Sequence, residues 1–262
     1  MRLASLPLKL RMARWHSATV LEDFAKEDVG LSHEEVAERK EFLWNAMLTE
    51  YDAKNLSEYL TTRGIEFSRE FLSFKRAWSR DEWNHYLGFR QIYSLLYDEP
   101  EDKIAERLEV EPGNFDPISK FLGDEFGVCL VLAYDEIATF RSYLAEFPFY
   151  TALDVSVFHW FQRVTRDELN HFLNCMELIR CKHSKRIPEI ADTVDQFIKW
   201  DIARHPYVRT FVLDHYWYSR KFLEHCKKLI TDYFTKGLRG ANFTARIESS
   251  DTEMIFKKYR YL

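Results

Sequence analysis

Apolar residues along the chain recur every three to four positions rather than every two, which predicts helices and no strands. The first helix is expected from about Ser32 to Thr62. Ser32 with Glu35 three residues later reads as a capping box, and Gly64 is the stop. A second is expected from about Glu66 to Tyr97. The stretch DEPEDKIAERLEVEPGNFDP is polar and carries three prolines, so it reads as a connection with a short helix at 101–109. A third helix is expected over Pro117 to Glu146, ending before Pro148. A fourth spans about Thr151 to His183, a fifth 188–203 and a sixth Pro206 to Phe234. The stretch 237–262 is less periodic and is expected to wrap the body. The pattern describes one all-α domain over 1–262. It has a four-helix core at about 32–183, a long crossover between two hairpins, and about two extra C-terminal helices at about 188–234.

Composition agrees with this reading. Only 8 glycines and 7 prolines in 262 residues favour long helices, and an aromatic share of 16% supplies a thick core or a lined pocket. Mean hydropathy is −0.40 and no run of about 18 apolar residues occurs, so no membrane span is expected. A formal charge of −5 argues against a nucleic-acid partner. Four cysteines without a Cys-x-x-Cys spacing read as reduced thiols, and a cytoplasmic location is expected. The N-terminal MRLASLPLKLRMARWHSATV holds Arg2, Lys9, Arg11 and Arg14 with no acid before Glu22. It reads as a basic arm, a composition that organellar targeting peptides share.

One repeat stands out. Arg-Asp-Glu-x-Asn-His occurs at 80–85 and again at 166–171. Glu and His three apart share a helix face and can hold one ion together. Glu82 with His85 and Glu168 with His171 are two such pairs. Two ions in a bundle need one further carboxylate from each remaining helix. Glu50 lies 32 residues before Glu82, and Glu136 lies 32 before Glu168. Asp52, Glu58 and Asp135 are other carboxylates on these helices, but the matched spacing selects Glu50, Glu82, His85, Glu136, Glu168 and His171 as the candidate ligands. Four carboxylates with two imidazoles suit iron or manganese, and their charge balances two divalent ions. Metal-bound histidines usually donate their other ring N–H to a carboxylate. Asp81 and Asp167 are expected to do this crosswise, each for the histidine of the other half. The remaining histidines (His16, His33, His159, His183, His205, His215 and His225) read as surface or core residues.

These motifs resemble the ferritin-like di-iron carboxylate proteins over about residues 40–180. Among them the chain looks most like the soluble acyl-carrier-protein desaturases. Their third helix reads Glu-Arg-Ala-Thr where this chain has Glu136-Ile137-Ala138-Thr139, and AWSRDEWNH is similar to their tryptophan-led Glu-x-x-His helix. The resemblance implies two iron ions (manganese being possible), O2 as co-substrate and an external electron donor such as ferredoxin. It also implies a homodimer and an acyl substrate on a carrier protein, desaturated or hydroxylated. Thr139 falls at the family's pocket threonine and is the candidate for proton delivery. Phe89 stands where the ribonucleotide reductase radical subunit usually has tyrosine. Val164 stands where arylamine N-oxygenases have a third histidine. Hydroxylation of a tRNA base, aldehyde deformylation and a non-catalytic ferroxidase remain as alternatives. Leu132, Phe140, Tyr143, Trp160, Phe161, Val164, Cys175, Trp78 and Phe89 are expected to line core or channel. Arg180, Lys182, Lys185 and Arg186, with Lys257, Lys258 and Arg260, are candidate landing cations for an acidic carrier.

Overall fold

The computed structural model describes residues 10–110, 113–203, 212–215 and 218–236. They form α1 (Ser17–Val20), α2 (His33–Glu38), α3 (Lys40–Thr62), α4 (Arg69–Tyr97), α5 (Glu101–Glu109), α6 (Glu125–Leu153), α7 (Val155–Lys182), α8 (Ile190–Ile202) and α9 (Arg220–Thr235). Short 3₁₀ turns lie at Lys26–Asp28, Asp116–Phe121 and Ser184–Glu189. The described residues form no β-strand, and none of their helices is long and apolar enough to cross a membrane.

Helices α3 and α4 pair as one hairpin and α6 and α7 as the other, with the crossover 98–124 between them carrying α5. Local chemistry sets the boundaries. The Ser32 hydroxyl accepts from the Glu35 amide while the Glu35 carboxylate accepts from the Ser32 amide, so the predicted capping box forms. The helix it opens breaks at Arg39 and restarts as α3. Ser68 caps α4 by accepting from the Phe71 amide, and Asp124 caps α6 by accepting from the Gly127 amide at 2.7 Å. Asp154 alone separates α6 from α7. Its carboxylate accepts from the amides of Ser156 and Val157 at 2.7 and 3.0 Å.

Two expectations are corrected. Helix α6 does not stop before Pro148 but runs through it to Leu153. A proline inside a helix costs roughly 3 kcal/mol. Beyond it Phe149, Tyr150 and Leu153 are all buried, at about 1.5–3 kcal/mol for each large side chain, and that packing outweighs the lost hydrogen bond. The sixth helix begins at Arg220 rather than Pro206. Residues 212–215 are not helical; the Leu213 amide donates to Asp135 and the His215 amide to Asp201, and Leu213 sits at φ +54°. Buried carboxylates hold this backbone out of a helix. Residues 237–262, including Lys257, Lys258 and Arg260, lie outside the described residues.

From residue 10 onward the basic N-terminal stretch packs on the bundle. The Arg11 backbone is clamped by Asn174, whose side chain accepts from the Arg11 amide and donates to its carbonyl, both at 2.8 Å. The Ser17 amide donates to the Asn84 side chain, and α1 packs on α4 and α7. This stretch is a strap across the bundle. Gly88 lets it seat. A Cβ there would lie 2.4 Å from the Trp160 ring, and that indole donates to the Ser17 hydroxyl at 2.8 Å.

The buried apolar side chains form two bodies. One holds Trp78, Leu132, Phe140, Leu169 and Cys175; the other holds Tyr51, Phe89, Tyr143, Phe161 and Val164. On α3, α4, α6 and α7 the change from one body to the other falls at or beside Glu50, Glu82–His85, Glu136–Phe140 and Glu168–His171. A polar layer therefore divides the core. Helix α6 is buried on nearly every side because α8 and α9 cover the face turned away from the hairpins.

Candidate metal centre

All six predicted ligands are brought together in that layer, each no more than 5% exposed. Two groups form, Glu50–Glu82–His85–Glu168 and Glu82–Glu136–Glu168–His171. Within each, one ligand atom per residue lies within 4.8 Å of every other. Glu82 and Glu168 belong to both groups. Both histidines turn Nδ1 inward. His85 Nδ1 lies 3.1 Å from Glu168, 3.3 Å from Glu50 and 3.7 Å from Glu82. His171 Nδ1 lies 2.9 Å from Glu82, 3.4 Å from Glu136 and 3.6 Å from Glu168.

Their other nitrogens face the predicted carboxylates crosswise. His85 Nε2 is 3.5 Å from Asp167 and His171 Nε2 is 3.5 Å from Asp81. Each Asp thus holds the histidine of the other repeat copy and leaves Nδ1 as the inward ligand atom.

The donor set fits divalent metal. Glu82 Oε1, Glu168 Oε1 and His171 Nδ1 are fully buried without a hydrogen bond, although His171 Nδ1 has three carboxylates near it. Glu82 Oε1 lies 2.9 Å from His171 Nδ1 and Glu168 Oε1 lies 3.1 Å from His85 Nδ1, so carboxylate and imidazole atoms crowd into one buried layer. Metal–ligand bonds of about 2.0–2.2 Å put opposite ligands roughly 4 Å apart, close to the spacing found. Without cations the layer carries strong like-charge repulsion. Burial, then Glu50 and Glu136, pushes the Glu82 carboxyl up to about 8. Burial, then Glu168, pushes Glu136 well above the carboxylate range. Burial opposes charging His85 and His171, but the surrounding carboxylates outweigh it and hold both imidazoles well above their usual range. Two divalent cations would relieve this repulsion.

Beyond the ligands the two halves differ. The Trp78 indole donates to Glu136 at 2.6 Å, while Glu50 receives the Tyr143 hydroxyl from α6. Arg80 donates twice to its neighbour Asp81, at 2.6 and 3.0 Å. Its counterpart Arg166 does not do this for Asp167. The Trp15 indole takes that place at 2.7 Å, and its ring stacks on His85 at 5.9 Å between centroids. Trp15 is the residue that sequence reasoning missed. It lies in a stretch without helical period, and only its aromatic character among bases marked it.

Other predicted residues are placed as follows. Thr139 is half-buried one turn along α6 from Glu136. Leu132, Phe140, Tyr143, Trp160, Phe161, Val164, Cys175, Trp78 and Phe89 are all at most 5% exposed and pack in the two apolar bodies. Of the candidate landing cations, Arg180 pairs with Glu177, Lys182 with Glu70, and Arg186 with both Asp124 and Glu189. Three of the four candidate cations in that run therefore share their charge with neighbouring carboxylates. No protein-family model, curated protein or solved structure matches the chain.

Proposed function

We propose that this chain is an O2-dependent non-haem di-iron oxidase or oxygenase built on a ferritin-like bundle, acting on an acyl substrate as desaturase or hydroxylase. The observation that carries the reading is the pair of buried Glu/His groups sharing Glu82 and Glu168, in which one ligand atom per residue lies within 4.8 Å of every other. Carboxylate-rich ligation with one imidazole per ion suits iron or manganese over zinc or copper. The acyl substrate rests on the motif resemblance around Glu136–Thr139 and Trp78.

Two bound ferrous ions supply the O2 reduction and C–H oxidation chemistry. The chain's own residues do the rest. Glu82 and Glu168, common to both groups, would hold both ions, and Glu50 and Glu136 would hold one each. Asp81 and Asp167 fix the imidazole tautomers, keeping Nε2 protonated and Nδ1 free to ligate. Trp78 and Tyr143 orient the terminal carboxylates. Phe89, Phe161 and Val164 exclude water from one side of the layer. The Thr139 hydroxyl, one turn from Glu136, is the proton donor this reading assigns.

The test is metal analysis of protein made in iron-replete cells, followed by O2 uptake of the ferrous-loaded chain. About two irons per chain and O2 uptake that Glu168→Ala abolishes are expected. Bound zinc, or no metal under conditions that load iron, would overturn the reading.

A further inference from the structure

Each imidazole of the centre leans on an outer carboxylate, and those two carboxylates are held by groups of different charge. His171 Nε2 faces Asp81 Oδ2, while Asp81 Oδ1 accepts twice from Arg80, through Nε at 3.0 Å and Nη2 at 2.6 Å. His85 Nε2 faces Asp167 Oδ2, which accepts from the neutral Trp15 indole at 2.7 Å. Arg166, the repeat counterpart of Arg80, bonds to no carboxylate among the described residues. With His159 and Arg163 it lines a cationic cleft of about 560 Å³ where the N-terminal strap lies against α7, and all three are exposed.

The inner carboxylates do not offset this difference. Glu50 accepts from the Tyr143 hydroxyl and Glu136 from the Trp78 indole, one neutral donor each, and Glu82 and Glu168 belong to both groups. The halves differ in charge at the outer pair. A carboxylate that accepts a ring N–H makes the imidazole's other nitrogen a stronger ligand. Pairing with a guanidinium draws charge from Asp81 and weakens that effect on His171. It also fixes a positive charge beside the Glu136–His171 position, where a cation would sit. Asp81 is buried, so water screens this pair poorly. Arg163 and Arg166 stand in water without a bond to the layer and are screened.

We propose that the two positions bind metal unequally. The Glu50–His85 position is the tight one and fills first. Arg80, a positioning residue acting through Asp81, keeps the Glu136–His171 position weak. The inference rests on the metal reading of the six ligands. Under it, the ion beside Trp78 and Thr139 completes the pair and is the first to be lost, so the concentration of free metal that the second position needs decides when the centre is whole.

The test titrates Mn2+ into the full chain and reads free Mn2+ by its electron paramagnetic resonance signal. Shared carboxylates couple the two ions, so each position is measured alone: Glu136→Ala leaves the Glu50–His85 position, and Glu50→Ala leaves the other. Kd should be about tenfold or more lower in Glu136→Ala than in Glu50→Ala. Adding Arg80→Gln should tighten the Glu50→Ala chain about tenfold and leave the Glu136→Ala chain unchanged. Arg80→Lys keeps the charge and should keep the weak constant. If circular dichroism shows an alanine variant unfolded, Glu50→Gln and Glu136→Gln make the same comparison. Equal constants at the two positions, or a tighter Glu136–His171 position, would overturn the proposal. So would an Arg80→Gln change that loosens that position, or an Arg80→Lys change that tightens it as glutamine does. Absence of Mn2+ binding to the wild-type chain would overturn the metal reading and the proposal together, whereas binding with equal constants overturns the proposal alone.

Discussion

Replacing Glu82 by glutamine should stabilise the metal-free protein above neutral pH and strip away most of the stability that metal confers. Both effects follow from its place between the two ion positions. Its carboxyl is pushed from 4.5 up to about 8, first by burial and then by Glu50 and Glu136. The folded chain thus holds this proton more tightly than the unfolded chain does. The contribution is fully present below the unfolded value and is lost as pH rises through about 8. At about 1.4 kcal/mol per unit, the ceiling on that loss is on the order of 5 kcal/mol, shared with the neighbouring carboxylates. Glutamine keeps the shape without ionising, so the variant should lack this part of the decline. Metal reverses the comparison, since the variant removes a ligand from both positions. Metal at one hundred times its Kd stabilises by about 2.7 kcal/mol, and a hundredfold weaker site retains about 0.4 kcal/mol. At roughly 2–4 °C per kcal/mol, a shift of about 5–10 °C shrinks to about 1 °C. Thermal unfolding by circular dichroism at pH 6 to 9, with chelator or with Mn2+ as a redox-stable ion, measures both. The reasoning fails if Mn2+ raises Tm equally in the two proteins, or if the chelated variant tracks wild type at every pH.

Three further substitutions probe the surroundings. Trp78→Phe removes the donor to Glu136 and keeps the ring, so Mn2+ affinity should fall about tenfold or more in a titration; unchanged affinity would mean the hydrogen bond orients nothing. Gly88→Ala drives a Cβ to within 2.4 Å of the Trp160 ring, and about 1–3 kcal/mol of overpacking should exceed the gain in helix propensity of about 1 kcal/mol, read as a lower urea midpoint. His215 is buried between Asp201 and Asp135. Burial opposes its charging, but Asp201 and Asp135 outweigh that and raise it to about 9, so its contribution is full below about 6.5 and lost as pH rises through about 9. His215→Gln should therefore be less stable than wild type at pH 6 and should lose less between pH 6.5 and 9; a parallel fall in urea unfolding would refute the assignment.

The parts of this molecule legible in its sequence are those written in local, repeated chemistry. The Glu-x-x-His pairs and their glutamates 32 residues upstream specify a layer because helix geometry alone converts that spacing into a face. The capping box at Ser32 is equally local. What escaped is long-range. Pro148 signals a stop in any window, and only the burial of Phe149, Tyr150 and Leu153 overrides it. The nonhelical backbone at 212–215 exists because Asp135 and Asp201, 78 and 14 residues away from the amides they bind, accept from them. Trp15 finds Asp167 across 152 residues, a pairing no spacing rule contains.

The repeat is kept where ions would sit and broken around them, and the breaks fall on consistent sides. Across the 86-residue offset, Trp78 answers Val164, Phe89 answers Cys175, Thr139 answers Ala53 and Tyr143 answers Ser57. The position served by Glu50 and His85 is bordered by Tyr143 and stacked by Trp15, beside the cationic cleft. The position served by Glu136 and His171 has Trp78, Thr139 and Cys175 around it, and Arg80 seals its outer Asp. Two ions held for charge balance alone would need only the symmetric ligands; under the proposed oxidase reading, the division would let the two positions serve different steps, with the arginine cover kept on one copy of the outer layer and lost from the other.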